Sequence, residues 1–232
     1  MSTLSELRTK VQEKLGLDST SSSTEETLLT QWLNEGVVDV LLRTRVNVNE
    51  STMTTTANTG DYVLDSDILA FQDLTYTSAA DGTVSQLTRV NPEVILRYRA
   101  INPATPAKAR FYALNGQDLL MLYPTPSAAD TLTVYYTPRP SSMNLSADDP
   151  SSESLGGIPT EYHKAIELFA LAEAAEFSDH QPSQFGALFR QQYEAKLNEI
   201  KRAMRHRGGR SMGPAILGRH RNLVGANSQY PR

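Results

Sequence analysis

Apolar residues recur at helical spacing at both ends of this chain and lose that period in the middle. This division limits the fold more than any motif does. Near the N-terminus Leu4, Leu7, Val11 and Leu15 fall on one helical face, and Leu29, Trp32, Leu33, Val37, Val40 and Leu41 repeat the pattern over three turns. Thr3 with Glu6 and Ser23 with Glu26 have capping-box spacing, and Gly16 suits a helix stop. Two helices are therefore predicted, at 3–16 and 24–44, joined by the polar linker Asp18–Thr24. Arg43 and Arg45 stand at the end of the second, where cations complement the helix dipole. Trp32, the single tryptophan, is expected to anchor a core between these two helices.

From Val46 to Pro140 the signals are those of strands. Val46, Val48 and Thr52–Thr56 are β-branched, and Gly60–Leu64 and Phe71–Thr77 continue the run. Asp81-Gly82 predicts a hairpin returning towards Leu87. Asn115-Gly116, between Arg110–Leu114 and Gln117–Tyr123, predicts a two-residue type I′ hairpin turn. Thr131–Tyr136 is a further strand, closed by Pro138 and Pro140. One short helix interrupts, opened by Asn91 as cap, Pro92 at the first position and Glu93 in the first turn, and ended before Asn102-Pro103. Residues 141–157, rich in Ser, Asp and Gly, read as a surface loop.

The helical period returns at Pro159. Tyr162, Ala165, Ile166, Phe169, Ala170 and Phe177 lie on a helix whose many alanines allow close approach by a neighbour. After Pro182 a last helix carries Phe185, Leu188, Phe189, Tyr193, Leu197, Ile200 and Met204. The sequence thus predicts an α+β fold: N-terminal helices, a central antiparallel β region, and a C-terminal helical hairpin (159–178 and 183–206) with an extended basic tail. Residues 1–206 form the body and 207–232 the tail, in which Gly208, Gly209, Gly213, Pro214, Gly218 and Gly225 leave only Ile216-Leu217 and Leu223-Val224 as apolar anchors. Such a tail cannot offset its own ordering entropy and is expected to order on a partner.

Charge divides in the same place. Residues 196–232 hold nine Lys/Arg and one acid, Glu199, a net +8, whereas the other 195 residues carry 13 basic and 25 acidic side chains, a net −12. An acidic body with a basic tail predicts that the tail docks on something acidic, whether nucleic acid, a partner protein or a neighbouring copy. The tail's only aromatic is Tyr230, so it has no base-stacking platform.

Catalytic chemistry finds no pattern. With no cysteine, thiolate metal sites and cysteine nucleophiles are excluded. His163, His180, His206 and His220 have no helix-face ligand spacing and read as surface histidines. Asp148-Asp149 and the Asp65/Asp67 pair read as turn and cap chemistry. No phosphate-loop, dinucleotide or nucleophile-elbow motif occurs. No enzyme activity, metal or cofactor is expected. Residues 1–10 lack the apolar core of a secretory signal, and no run of 18 apolar residues exists, so no membrane partner is expected.

The order of segments carries a resemblance. Leu28–Glu35 ahead of a β region, Tyr62–Leu69, Tyr112–Gly116 with Leu120–Pro126, Leu132–Pro140, and Ile158–His163 leading into an alanine-rich helix together resemble the head-to-tail adaptor (connector) proteins of tailed bacteriophages over about residues 25–205. Asp65 stands where that family commonly has proline. The resemblance implies a structural virion protein of the neck, assembled in the host cytoplasm. It implies a homo-oligomeric ring, commonly twelvefold, between the portal protein and tail, tail-hub or nozzle proteins. Such a ring extends the channel for genomic DNA, held without sequence-specific binding, and helps retain and release the genome. The family's C-terminal extension docks on portal or neighbour, a role that falls here on Arg205, Arg207, Arg210, Ile216, Leu217, Arg219, Arg221 and Leu223. The alternatives are another neck or tail completion (stopper) protein, a lytic or packaging enzyme, and a DNA-binding protein using the basic tail.

Overall fold

The computed structural model describes residues 2–16, 23–101, 105–116, 118–177 and 183–207. Helices α1 (Leu4–Leu15) and α2 (Ser23–Thr44) open the chain. The Thr3 side chain accepts from the Glu6 amide and Gly16 closes α1 at φ 67°, both as the sequence predicts. The β region comprises β1 (Asn49–Thr54), β2 (Asp61–Val63), β3 (Ile68–Thr77), β4 (Val84–Gln86), β5 (Thr88–Arg89), β6 (Phe111–Asn115), β7 (Leu119–Tyr123) and β8 (Thr131–Pro138), with α3 (Pro92–Ile101) between β5 and β6. A 3₁₀ turn, Thr160–Tyr162, leads into α4 (His163–Phe177), and α5 (Ser183–Arg207) follows. The chain is α+β, as its periodicity requires.

The β region is two four-stranded sheets, ordered β1-β8-β3-β4 and β2-β7-β6-β5. Leu74, Tyr76, Leu132, Val134 and Tyr136 of the first meet Tyr112, Leu120 and Leu122 of the second in one core. Ala113 and Met121 alternate to the other face of the second sheet and are covered by Ile95 of α3. A sheet covered on both faces accounts for the unbroken apolar run Leu119–Leu122. The pairing is antiparallel, as expected of the central β region, with one addition: β5 and β6 are parallel. Helix α3 supplies the crossover that a parallel pair needs.

Three local readings are corrected. Asn115 pairs with Leu119, and Gly116 has φ 74° whereas Asn115 does not have positive φ, so the connection is not the two-residue type I′ turn expected. The first strand begins at Asn49, because Val46 packs against the helical core and Val48 is exposed. Loop 141–157 is at the surface but pinned: Met143 is buried, and Asn34 both donates to its carbonyl at 3.1 Å and accepts from its amide at 2.8 Å. The loop also supplies the Asp148 and Ser146 carbonyls to the Leu4 and Ser5 amides of α1, which no intrahelical acceptor can reach.

The second core joins α1, α2, α4 and α5 around Leu4, Leu33, Val37, Ile166, Leu171, Leu197 and Ile200. Helix α4 is the centre and runs antiparallel to α2, with Trp32 near Phe177 and Gly36 against Ile166 and Phe169. A Cβ at Gly36 would meet Phe169 Cδ1 at 3.2 Å and the Ile166 carbonyl at 3.3 Å, so glycine permits this approach. On the α4 side Ala165, Ala170 and Ala174 are buried, as the alanine-rich pattern predicts. Trp32 differs from its expected place. It is half-buried at the edge of the helical core and meets Phe177 of α4 edge-on, with ring centroids 5.6 Å apart.

Candidate assembly surfaces

Helix α5 is the element from which the predicted docking tail leaves, and its attachment to the body is polar as well as apolar. Arg43 of α2 donates through Nη1 and Nη2 to the two carboxylate oxygens of Glu194, both at 2.6 Å. Its guanidinium also lies 5.7 Å from the Tyr193 ring centroid. That pairing holds the Glu194 carboxyl below its ordinary range. The Tyr193 hydroxyl donates to Asp39, and burial, followed by this bond, pushes it well above its ordinary value. Arg190 donates to Glu173 at 3.1 Å and to Glu176 at 2.8 Å on α4. These pairs are partly exposed and each stabilises by at most about 1 kcal/mol; with Leu197 and Ile200 buried beneath them they fix the direction of α5. Arg43 therefore acts as more than a helix-end cation, because its charge is used across the α2–α5 contact.

Of the predicted docking residues, Arg205 is exposed on the last turns of α5. Arg207 ends that helix, and its side chain lies outside the described residues, as do Arg210, Ile216, Leu217, Arg219, Arg221 and Leu223 in full. Phe185 and Leu188, among the apolar residues that mark α5 in the sequence, are 43% and 45% exposed, and Phe177 is 68% exposed. The end of the hairpin thus presents apolar surface that the period alone assigns to the core.

A surface that sequence reasoning missed runs along the outward side of α2. It is an open groove of about 940 Å³, closed by Arg8 of α1 and by Ser142 and Asn144 of the pinned loop. Val38 and Leu42 line it among Glu26, Glu35 and Asp39. Helical spacing marks these positions only as a polar face. The loop that makes the face concave is 100 residues away in sequence.

His163 is a second departure. It was expected at the surface but is buried, at 2% exposure. Its Nε2 lies 2.9 Å from the Ile158 carbonyl, which can only accept, so Nε2 carries the proton. Nδ1 is buried without a partner, and Asp149 Oδ1 stands 3.8 Å from Nε2. Burial pushes the imidazole below its ordinary value despite the carbonyl and carboxylate, because a second N–H would have no acceptor. A folded value below the unfolded one means that the unfolded chain binds the extra proton. His163 then contributes stability fully above about pH 6.5, and that stability is lost as the pH falls below it. Urea melts at steps from pH 7.5 to 5.5 should show wild type losing up to about 1.4 kcal/mol per pH unit more than His163→Gln. Parallel profiles would refute it.

Nearby, Glu167 is buried and accepts from Lys164 at 2.7 Å and from Lys14 of α1. Burial alone would raise its carboxyl, but the two lysines outweigh that and hold it below the usual range. Asp148 accepts the Asn144 and Leu145 amides, and Asp149 the Ser151 amide and hydroxyl, so this acidic pair does turn chemistry as predicted. Among the described residues no group of three or more His, Asp or Glu is placed to hold a metal ion, and no helix is long and apolar enough to cross a membrane.

Helices before a β region, a helical hairpin after it, and a basic segment following the last helix in sequence are the order of segments on which the resemblance rests. Comparison with protein families decides the matter, because the family model described as SU10 adaptor protein matches residues 2–218. The chain belongs to the SU10 adaptor protein family. The match takes in every described element and runs on into the tail as far as Gly218. No curated protein matches the chain. As a member of the SU10 adaptor family it is a bacteriophage structural adaptor, and membership implies a place in the virion neck and association with portal and tail components.

Proposed function

We propose that this adaptor forms a homo-oligomeric ring, twelvefold, between the portal protein and the tail or nozzle proteins. The ring extends the DNA channel and helps retain and release the genome, with no catalytic step. Residues 1–206 build the ring, and 207–232, with Arg205, form the extension that docks on portal or neighbour. Assembly takes place in the host cytoplasm before the neck is completed. The reading rests on one observation: the family match includes α5 and the first part of the basic tail as well as the body. Supporting it, α5 is tied to α2 and α4 by Arg43, Tyr193 and Arg190, so the tail leaves from a fixed point on an acidic body.

The test is to mix the full chain with its portal and image the product, alongside the chain alone and the chain lacking 207–232. A ring on the portal, weakened or lost on truncation, is expected. A stable monomer that ignores the portal would overturn the proposal. A salt-dependent shift of DNA by the isolated chain, abolished by the truncation, would instead favour DNA binding by the tail.

A further inference from the structure

We propose that the acidic groove along α2 receives the basic tail, residues 208–232, of the neighbouring copy in the ring. This rests on the ring reading above and names a surface that it leaves open.

Charge comes first. The groove carries Glu26, Glu35 and Asp39; Arg8 lies 3.7 Å from Glu26, and Arg43, beside the groove, lies 3.7 Å from Asp39, so the acidic surplus centres on Glu35. The tail carries Arg210, Arg219, Arg221 and Arg232 and no acid. Opposite surplus charges at an open, partly desolvated groove attract and fix register. A second concavity, between α1 and the start of α4, carries Lys10, Lys14 and Lys164 against Glu13 and Glu167, a net positive lining that is poorly suited to a basic segment.

Apolar pattern agrees. Val38 and Leu42 lie at positions i and i+4 of α2 inside the groove, and Leu42 is 43% exposed. The tail has two short apolar pairs, Ile216-Leu217 and Leu223-Val224, among its arginines. A segment of this composition supplies anchors for the floor and cations for the rim.

Direction selects the neighbour. Helix α4 runs antiparallel to α2, and α5 antiparallel to α4, with Gly186 beside Glu176 and Phe169 beside Tyr193. Helix α5 is therefore parallel to α2, and Arg43, one residue from the end of α2, is level with Glu194. The remaining residues of α5, to Arg207, carry its end about 20 Å further at 1.5 Å per residue. Helix α5 therefore ends beyond the C-terminal end of α2, outside its own groove. A 25-residue segment spans up to about 80 Å when extended, which reaches an adjacent copy.

The chain has no cysteine, so introduced pairs can be read without background. One full-length preparation carries Gln31→Cys, exposed in the groove, and another carries Ile216→Cys or Leu223→Cys in the tail. They are assembled together on the portal and oxidised. Only a contact between copies can link them. Cross-linked dimers are expected, with a yield that drops about tenfold, equivalent to about 1.4 kcal/mol, when Glu26→Lys and Glu35→Lys are added, and that also drops with salt. Circular dichroism confirms that each variant is folded. Rings without dimers would overturn the groove and leave the ring reading intact. So would links confined within single chains in a third preparation that carries both cysteines, dimers no more abundant than either preparation forms alone, dimers indifferent to charge reversal, or links abolished by added DNA. Failure to form any ring would remove both proposals, and imaging reports it separately from the cross-link.

Discussion

Asp130→Ala should destabilise the protein by about 3–5 kcal/mol, the cost of leaving buried hydrogen-bonding groups without their ionic partner. Asp130 is 4% exposed and Tyr76 is wholly buried. The Tyr76 hydroxyl donates to Asp130 Oδ2, and the Ala79 amide donates to Oδ1 at 2.7 Å. The backbone of Asp130 is tied in the same place: its carbonyl accepts the Thr55 amide at 2.8 Å, and its amide donates to Thr55 Oγ1 at 2.8 Å. One residue therefore fastens the loop after β3 and the segment after β1 to the start of β8. Alanine leaves a phenol and an amide without acceptors inside the sandwich. At this chain length the loss corresponds to a fall in melting temperature of about 10 °C. Asp130→Asn should cost less, since it keeps an acceptor, and Tyr76→Phe combined with Asp130→Ala should cost less than the two single losses added together. Urea midpoints for wild type and the four variants, Tyr76→Phe alone included, check this. A loss below about 1 kcal/mol for Asp130→Ala would mean that the network does not hold the sheets.

Leu197→Ala is the second large effect, and it links the helical core to the docking tail. Leu197 is fully buried where α5 meets the other helices. Truncation removes apolar contact and leaves a cavity, at a cost of about 3 kcal/mol. Because the polar pairs along α5 are partly exposed and individually weak, they cannot hold the helix once its apolar anchor is reduced. Trypsin should then cut α5 at Lys196, Lys201 and Arg202 several-fold faster than in wild type, because local opening exposes those bonds. Leu188→Ala, on the same helix but 45% exposed, is the control and should leave both melting and cleavage almost unchanged. If the two variants behaved alike, α5 would be held by its ion pairs rather than by burial.

Much of this architecture could be read before any coordinates because the chain states it locally. The α1 cap at Thr3 and stop at Gly16, the start of α3 at Asn91-Pro92, and the alanine face of α4 each depend on residues within a few positions of one another. Backbone groups at helix ends and turns find their partners nearby, and the sequence prints those partners side by side. The same locality explains the misplaced features. Whether Asn115-Gly116 makes a two-residue turn depends on the register of the strands that meet there, and cross-strand packing sets that register as much as the turn does. His163 and Trp32 exchanged expectations for one reason: burial is decided by what arrives from elsewhere. The Ile158 carbonyl meets His163 in the interior with Asp149 close by, whereas Trp32 packs at the edge of the helical core beside Phe177 and remains half-buried.

The candidate surfaces divide in the same way. The basic tail is legible from composition, since its charge and its shortage of apolar residues are sums over neighbours in sequence. The family resemblance, carried by the order of short segments, is legible too. The α2 groove is not, because its wall comes from residues 142 and 144 and its acidic balance from side chains of α2 opposed by Arg8 of α1 and Arg43. By itself, the sequence determined the helix–sheet–helix order, the acidic body with its basic tail, and the adaptor resemblance, because periodicity, capping and composition act over a few residues at a time. Only the tertiary structure decided the parallel β5–β6 pair, the direction of α5, the burial of His163 and the shape of the groove, because each depends on side chains brought together from distant parts of the chain.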